Sequence, residues 1–147
     1  MTKVADVFLK ITTKPLIVNQ NDKIDSVHEK LVHGNPISRC VYVVDKQLKL
    51  VGKITLQDML KATAVKKGIT GNKHFSVRQL FEYISKDLKA RDIMTAPVSI
   101  ELNEKIEEAL QKMINHNVEE IAVVDDYGEI IGDLNAYELI NECMEPA

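Results

Sequence analysis

The sequence predicts an α/β fold: two pseudo-symmetric β-α-β-β-α repeats that pack through their sheets, with a helical connector between them. Three observations support this prediction. The two halves of the chain align with each other, each half alternates short β-rich runs with amphipathic helical stretches, and neither half is long enough to bury a stable core alone. The predicted boundaries are residues 1–62 for the first repeat, 63–88 for the connector and 89–147 for the second repeat.

The two repeats align closely. Pro15 aligns with Pro97, so that TTKPLIVNQNDKIDSVHEKL matches MTAPVSIELNEKIEEALQKM. After two extra residues in the first repeat, VYVVDKQLKLVGKITLQDML matches IAVVDDYGEIIGDLNAYELI. The segments that precede these blocks also match, since Ala5-Asp6-Val7 resembles Arg91-Asp92-Ile93. We call these two matching segments, together with the residues that flank them (2–8 and 88–94), the lead-ins.

Each repeat begins with a strand and an amphipathic helix. The strand is predicted at residues 16–18 and again at 98–100. The helix has its apolar residues at positions 24, 27 and 31 in the first repeat, and at 106, 109, 110, 113 and 114 in the second. We expect Asp22 and Asn103 to start these helices, because both side chains are good N-caps.

Two more strands and a closing helix complete each repeat. Residues 41–44 and 121–124 are apolar and largely β-branched, which is typical of buried strands. A polar turn follows, and the next strand is predicted to end at Gly52 or Gly132. The closing helix begins after that glycine.

The connector predicts one further helix. Gly68 and Gly71 interrupt the chain, and an apolar helical stripe follows, formed by Val77, Leu80, Phe81 and Ile84. Three lysines lie in or next to this stretch: Lys66, Lys67 and Lys73. We expect them to form a solvated face, with contact to a phosphate group as the alternative.

Composition excludes several classes of protein. The chain has 147 residues, 45% of them hydrophobic, and a net charge of −3, so it lacks the basic surface of a nucleic-acid-binding protein. It has no apolar run of the roughly 18 residues that a membrane span needs, and its first residues do not resemble a secretory signal. Cys40 and Cys143 are expected to be reduced thiols in a cytoplasmic protein, with Cys40 as a small buried apolar residue.

The chain offers little evidence for a metal site or a catalytic site. Its histidines are His28, His33, His74 and His116, and their spacing does not predict the three or four converging ligands of a metal site. Asp125, Asp126 and Glu129 could attract Mg²⁺, but their position favours a solvated hairpin turn. No Ser-His-Asp order, P-loop or HExxH motif is present, so we predict no enzymatic activity.

One seven-residue motif occurs twice: GKITLQD, which starts at Gly52, and GDLNAYE, which starts at Gly132. In a purely structural interpretation, each copy forms a capping box: Thr55 with Asp58 in the first, and Asn135 with Glu138 in the second. In a functional interpretation, the same atoms could bind a ligand. A helix N-terminus attracts anions, and a carboxylate there can accept hydrogen bonds from both hydroxyls of a ribose. In that interpretation the glycine allows the backbone to approach the ligand closely.

The repeated motifs resemble a tandem pair of CBS domains. The resemblance rests on RDIMTAPV, IAVVDDYGEIIG and VGKITLQDML, and it covers the chain except the connector. It implies a non-catalytic regulatory module that binds AMP, ADP, ATP or S-adenosylmethionine as a regulatory ligand in clefts between the repeats. Such a module signals energy or metabolite state to a partner protein, here expected on another polypeptide.

The resemblance also implies which residues bind the ligand. In the first repeat it assigns ribose binding to Thr55 and Asp58, and the base or phosphate region to Lys53. The stretch Ile37-Ser38-Arg39 would meet phosphates. The adenine wall would come from the second repeat, from Thr95, Ala96, Pro97 and Val98.

The second repeat departs from this pattern. Asn135 replaces the hydroxyl residue, and Glu138 replaces the aspartate; Lys14, Pro15 and Leu16 would complete this weaker site. Glu119 and Glu120 stand where phosphates would be met, so we expect this second cleft to be empty or to take a ligand with less negative charge.

Two alternatives to ligand sensing stay open: a structural dimerisation or docking module without a ligand, and a Mg²⁺-responsive pair. The resemblance also implies a disk-like homodimer formed through the helices. We expect the apolar contacts of that dimer from Leu31, Met59, Met113, Ile114 and Leu139.

Overall fold

Each repeat consists of a three-stranded sheet with helices on one face. The computed structural model describes residues 2–10, 14–67 and 88–144. The first repeat comprises α1 (Val4–Val7), β1 (Ile17–Asn19), α2 (Ile24–His33), β2 (Cys40–Val44), β3 (Leu50–Thr55) and α3 (Leu56–Lys66). The second comprises α4 (Ala90–Ile93), β4 (Ser99–Glu101), α5 (Ile106–His116), β5 (Glu120–Val124), β6 (Ile130–Asn135) and α6 (Ala136–Met144). The predicted connector helix lies outside the described residues.

The two sheets have the same topology. In the first, β1 runs parallel to β2 and β3 runs antiparallel to β2; the second sheet repeats this order with β4, β5 and β6. A helix connects the two parallel strands, as such a connection requires. The α/β repeat predicted from the sequence is therefore confirmed.

The second hairpin strand of each repeat is longer than predicted. It does not end at the glycine, because Lys53, Ile54 and Thr55 continue the antiparallel pairing with β2 as far as Cys40. The same extension carries β6 on to Asn135. As a consequence, Thr55 and Asn135 of the repeated motif lie at the strand ends, where the closing helices begin.

The sheets pack against each other through the faces that their helices leave uncovered. Along β2 the side chains alternate: Val41 and Val43 pack into the helix-covered core of the first repeat, whereas Cys40 and Tyr42 pack against Ala122 of the second. Both faces of β2 are buried, and the strand accordingly carries no charged side chain. We call the contact between the two sheets the inter-sheet interface, and it confirms the predicted packing of the repeats.

The lead-ins are exchanged between the repeats. Val4 and Val7 of α1 lie in the core of the second repeat, and Ala90 and Ile93 of α4 lie in the core of the first. The residue after each lead-in helix covers a glycine of the opposite repeat: Met94 packs on Gly52, and Phe8 packs on Gly132. Neither repeat can therefore complete its core without the other.

This exchange corrects the predicted helix starts. Helices α2 and α5 begin after Lys23 and Lys105, not at Asp22 and Asn103, and neither N-cap residue makes a side-chain cap. Instead, the first free N–H groups donate to backbone carbonyls of the opposite lead-in: Ile24 N to Leu88 O at 3.1 Å, and Ile106 N to Thr2 O at 3.3 Å. Backbone carbonyls here accept hydrogen bonds from helix N–H groups that an N-cap side chain accepts in other helices.

Candidate functional site

Two cavities lie between the repeats, related by the pseudo-symmetry. Cavity one has a volume of about 280 Å³, and cavity two has a volume of about 310 Å³. Cavity one is lined by Arg39, Cys40, Lys53, Thr55, Leu56, Gln57, Asn117, Val118, Glu119 and Glu120. Cavity two is lined by Ile37, Arg39, Glu119, Glu120, Asn135, Ala136, Tyr137 and Ile140. Each cavity thus combines the closing-helix N-terminus of one repeat with the segment before the central strand of the other.

The N-terminus of α3 forms one wall of cavity one and has the predicted capping box. Asp58 N donates to Thr55 Oγ1 at 3.2 Å, and Asp58 Oδ2 accepts from Thr55 N at 2.9 Å. The Thr55 hydroxyl also donates to Asp58 Oδ2, at 3.0 Å. Within the described part of the chain, nothing donates to Asp58 Oδ1. One carboxylate oxygen is therefore used by the cap, and the other can accept a further hydrogen bond.

The segment predicted to form the adenine wall lies beside this helix N-terminus. Thr95 pairs with Lys53 as an isolated antiparallel bridge, with Lys53 N to Thr95 O at 3.0 Å and Thr95 N to Lys53 O at 2.9 Å. Thr95 and Ala96 are exposed, whereas Val98 is buried in the core of the second repeat. The structure thus brings Lys53, Thr55, Asp58 and Thr95 together, although they come from both repeats.

The stretch Ile37-Ser38-Arg39 is divided among different surroundings. Ile37 lines cavity two, and Ser38 is buried, with a hydroxyl that has no partner among the described residues. Arg39 lines both cavities; its backbone N donates to Glu120 Oε1 at 2.8 Å, and its Nη1 donates to Pro36 O. Arg39 is the cation of this stretch that an anion in either cavity could reach.

The corresponding residues of the second repeat are more deeply buried. Asn135 and Glu138 are only 3% and 2% exposed, and they form a reciprocal cap with two bonds of 3.1 Å. Of the residues expected to complete this site, Lys14 is exposed and Pro15 is half-buried. Leu16 packs in the core of the first repeat.

The acidic pair lines more of the site than the sequence predicted. Glu119 and Glu120 were expected at the second cleft alone, but both line cavity one as well. The reason is the pseudo-symmetry, which places the two pre-strand segments side by side between the cavities. Cavity one therefore contains the cations of Arg39 and Lys53 and also two carboxyl groups.

A buried polar cluster next to the cavities was missed by sequence reasoning. Tyr42 is 1% exposed, Asp133 is 1% exposed, and the Tyr42 hydroxyl donates to Asp133 Oδ1 at 2.5 Å. Burial, followed by the Asp133 charge, raises the pKa of the Tyr42 phenol well above its ordinary value. The available signal was a charged residue, Asp133, between Gly132 and Leu134 in the repeated motif.

Metal binding receives no support from the described residues. In residues 2–10, 14–67 and 88–144, no group of three or more His, Cys, Asp or Glu side chains is arranged to hold a metal ion. Asp125 instead stabilises its own hairpin turn, where Oδ1 accepts from the N–H groups of Tyr127 and Glu129 at 2.9 and 3.0 Å. Across the same ranges, no helix combines the length and apolar character needed to cross a bilayer.

Two sheets joined through exchanged lead-ins, with two inter-repeat cavities at helix N-termini, define a tandem pair of α/β repeats. The CBS domain family model matches residues 4–65 and 90–145. The chain belongs to the CBS domain family, whose paired domains are generally regulatory and non-catalytic.

Solved structures agree with this assignment. A CBS domain-containing protein from Thermotoga maritima is 32% identical, with a TM-score of 0.75 over 99% of this chain and 96% of that chain. The protein CBSX2, solved in complex with AMP, is 19% identical, with a TM-score of 0.75 over 98% of this chain and 97% of its own. The CBS domain pair of protein MJ0100, solved with 5′-methylthioadenosine and S-adenosyl-L-methionine, is 22% identical, with a TM-score of 0.71 over the same shares.

Proposed function

We propose that this protein is a non-catalytic regulatory module that binds an adenosine-containing ligand in cavity one. The observation that carries the proposal is the Thr55–Asp58 cap at the helix N-terminus that lines cavity one, next to the exposed Thr95-Ala96 segment that pairs with Lys53. The complexes of CBSX2 with AMP, and of the MJ0100 pair with S-adenosyl-L-methionine, support this class of ligand.

Different residues at cavity one can bind different parts of the ligand. Asp58 Oδ1 accepts from a ribose hydroxyl, since Oδ2 is already used by the cap. The backbone groups beside Thr95 meet the edge of the base. Arg39 and Lys53 lie where a phosphate or carboxylate of the ligand would approach, and the free N–H groups of the α3 N-terminus add to the attraction.

Cavity two is proposed to be the weaker site. The Glu138 carboxylate is buried in its cap, so it is less accessible to a ribose than Asp58, which is half-buried. A ligand there would also meet Glu119 and Glu120 without the lysine that cavity one contains. We therefore propose that cavity two stays empty, or takes a ligand with little negative charge.

The signal is proposed to pass from the ligand to a partner protein, reporting energy or metabolite state in the cytoplasm. The ligand would contact both repeats, because cavity one is lined by Thr55 of the first repeat and by Glu119 of the second. A bound ligand would therefore bias how the repeats sit against each other, and a partner that contacts both would sense this.

A thermal-shift screen tests the proposal against its alternatives. We expect at least one of AMP, ADP, ATP, NADH and S-adenosylmethionine to raise the melting temperature by several degrees. Ligand at about one hundred times its dissociation constant stabilises the folded state by about 2.7 kcal/mol. No shift with any of the five, even at millimolar concentration, would favour a structural docking module; a shift with Mg²⁺ alone would favour the magnesium-responsive alternative.

A homodimer is also proposed, through a face that differs from the one predicted. Met113 and Leu139 are core residues, and Leu31 and Met59 are half-buried against the core, so of the five expected residues only Ile114 is strongly exposed. An apolar groove of about 350 Å³ between α5 and α6 includes Leu110, Ile114 and Ile140. These side chains are 38%, 68% and 56% exposed, and a second copy could cover them.

Ile114→Asp should abolish this dimer, because it places a charge in an apolar contact. Light scattering should give twice the 16.6 kDa monomer mass for the unmodified protein and the monomer mass for the variant. Leu48→Asp is the control, since Leu48 is equally exposed, at 60%, but lies in a hairpin turn. A monomer at high micromolar concentration before any substitution contradicts the proposal.

A further inference from the structure

Two carboxyl groups of the second repeat meet a phenol of the first at the inter-sheet interface. Glu120 on β5 and Asp133 on β6 lie on the same sheet face, because Glu120 pairs with Asn135 and Ala122 with Asp133. Tyr42 reaches across from β2 and donates its hydroxyl to Asp133 Oδ1. The cluster thus joins the two repeats and lies beside both cavities, which Glu120 lines.

One oxygen of each carboxyl group lacks a conventional donor. Glu120 Oε1 accepts from the backbone N of Arg39, but Glu120 Oε2 and Asp133 Oδ2 are buried and have no partner in the described ranges. The two carboxyl groups lie within hydrogen-bonding reach of each other. Two buried carboxylates in contact repel each other strongly, whereas a single proton between them gives each oxygen a partner.

The surrounding charges do not replace that proton. From the segment before β2, Arg39 directs its Nη1 to the Pro36 carbonyl, and from β3 Lys53 faces cavity one. Neither forms an ion pair with Glu120 or Asp133 among the described residues. The other titratable groups facing the pair are the Tyr42 phenol and the Cys40 thiol of β2, and burial raises the pKa of both, so they stay neutral.

We propose that Glu120 and Asp133 share one proton at the inter-sheet interface, and that this proton stabilises the packing of the two repeats. The packing would loosen when the proton is lost at rising pH. The inference goes beyond ligand binding, since it concerns the protein without any ligand.

The direction of the pH dependence follows from the pKa of the pair. Burial, and then the charge and hydrogen bond of Asp133, raise the pKa of Glu120 from an ordinary 4.5 to about 9, and burial also raises the pKa of Asp133. Between these two values the folded state holds a proton that the unfolded chain has released. The stabilisation is therefore complete below pH 4.5 and is lost as pH rises through about 9.

Urea unfolding of the ligand-free protein between about pH 6 and about pH 9 tests this inference. For the unmodified protein, we expect the unfolding equilibrium constant to rise by up to about tenfold per pH unit, the slope of one linked proton. Glu120→Gln supplies a permanent N–H to Asp133, so its stability should be nearly independent of pH and should exceed that of the unmodified protein at pH 9. Asp133→Asn, which keeps an acceptor for Tyr42, should also flatten the slope if Glu120→Gln folds poorly.

Glu119→Gln is the matched control. This neighbouring residue is exposed, and its substitution removes the same formal charge, so the variant should keep the full pH slope. Hydrogen exchange should show faster opening at the Tyr42 and Ala122 amides at high pH in the unmodified protein but not in Glu120→Gln, after correction for intrinsic rates. The inference is overturned if Glu120→Gln and Asp133→Asn keep the slope of Glu119→Gln. Because no ligand is added, this result does not depend on whether adenosine ligands bind.

Discussion

Asp58→Ala should weaken the binding of an adenosine ligand by about ten- to a hundredfold. The substitution removes the charged acceptor of a ribose hydroxyl, and hydrogen bonds to charged groups contribute roughly 1.5–3 kcal/mol. Titration calorimetry measures the change directly. The same substitution removes the cap on α3, which costs about 1 kcal/mol of stability, so unfolding must be measured separately from binding.

Glu138→Ala is the control in the second repeat. It removes the equivalent cap, in which Glu138 Oε1 accepts from Asn135 N at 3.1 Å. Since Glu138 is almost fully buried, we expect a larger loss of stability than for Asp58→Ala but nearly unchanged ligand affinity. Glu138→Gln can replace it if the alanine variant folds poorly. Loss of binding in the Glu138 variants, with binding retained in Asp58→Ala, would place the site in cavity two.

Gly132→Ala should destabilise the protein by about 2 kcal/mol, although Ala costs less conformational entropy than Gly on folding. An added Cβ would lie 2.4 Å from Cδ2 and 2.5 Å from Cε2 of Phe8, whose rigid ring packs partly buried against the core of the second repeat. The loss should appear as a fall in melting temperature of several degrees. Gly52→Ala should cost less, because the atoms it meets belong to the flexible side chain of Met94.

A double-mutant cycle with Phe8→Leu tests the cause of this loss. If the lead-in of the first repeat packs on the sheet of the second, the smaller side chain should relieve the clash, and the two substitutions together should cost less than the sum of their separate costs. Additive effects would show that Phe8 does not cover Gly132, and the exchange of lead-ins would then lack support at that contact.

The sequence was sufficient where the determining signal is local. Strand β2 and its counterpart β5 follow from short apolar, β-branched runs, and the structure places them within one residue of the prediction. The capping boxes at Thr55 and Asn135 follow from residues three apart, and the structure contains both. Hydrophobic patterns and caps act over a few residues, so they can be read without knowing the fold.

Contacts between distant residues could not be predicted in the same way. The starts of α2 and α5 depend on carbonyls of the opposite lead-in, and nothing near Lys23 indicates that Leu88 will supply one. The glycines were expected to admit a ligand, but in the structure they admit Met94 and Phe8. On the helix predicted for the dimer face, Met113 and Ile114 are adjacent in sequence but point in directions about 100° apart, so one is in the core and the other is exposed.

The proposed ligand-binding residues were partly predictable from the sequence. The family resemblance named Thr55, Asp58 and Thr95, and the structure brings them near one another through the Thr55–Asp58 cap and the Lys53–Thr95 bridge, with Thr55 lining cavity one. The pairing of Glu120 with Asp133 gave no local signal beyond the charge of Asp133 between Gly132 and Leu134, because it depends on how two strands and a third from the other repeat come together.

Whether cavity one is the ligand site can be measured by an NMR titration of the isotope-labelled protein with AMP and S-adenosylmethionine. We expect the largest changes in backbone amide shifts at residues 53–58, which include one wall of cavity one, and at residues 95–96, which lie next to Lys53. Changes that are largest at residues 135–140, beside cavity two, would contradict it, and so would the absence of any saturable change with either ligand.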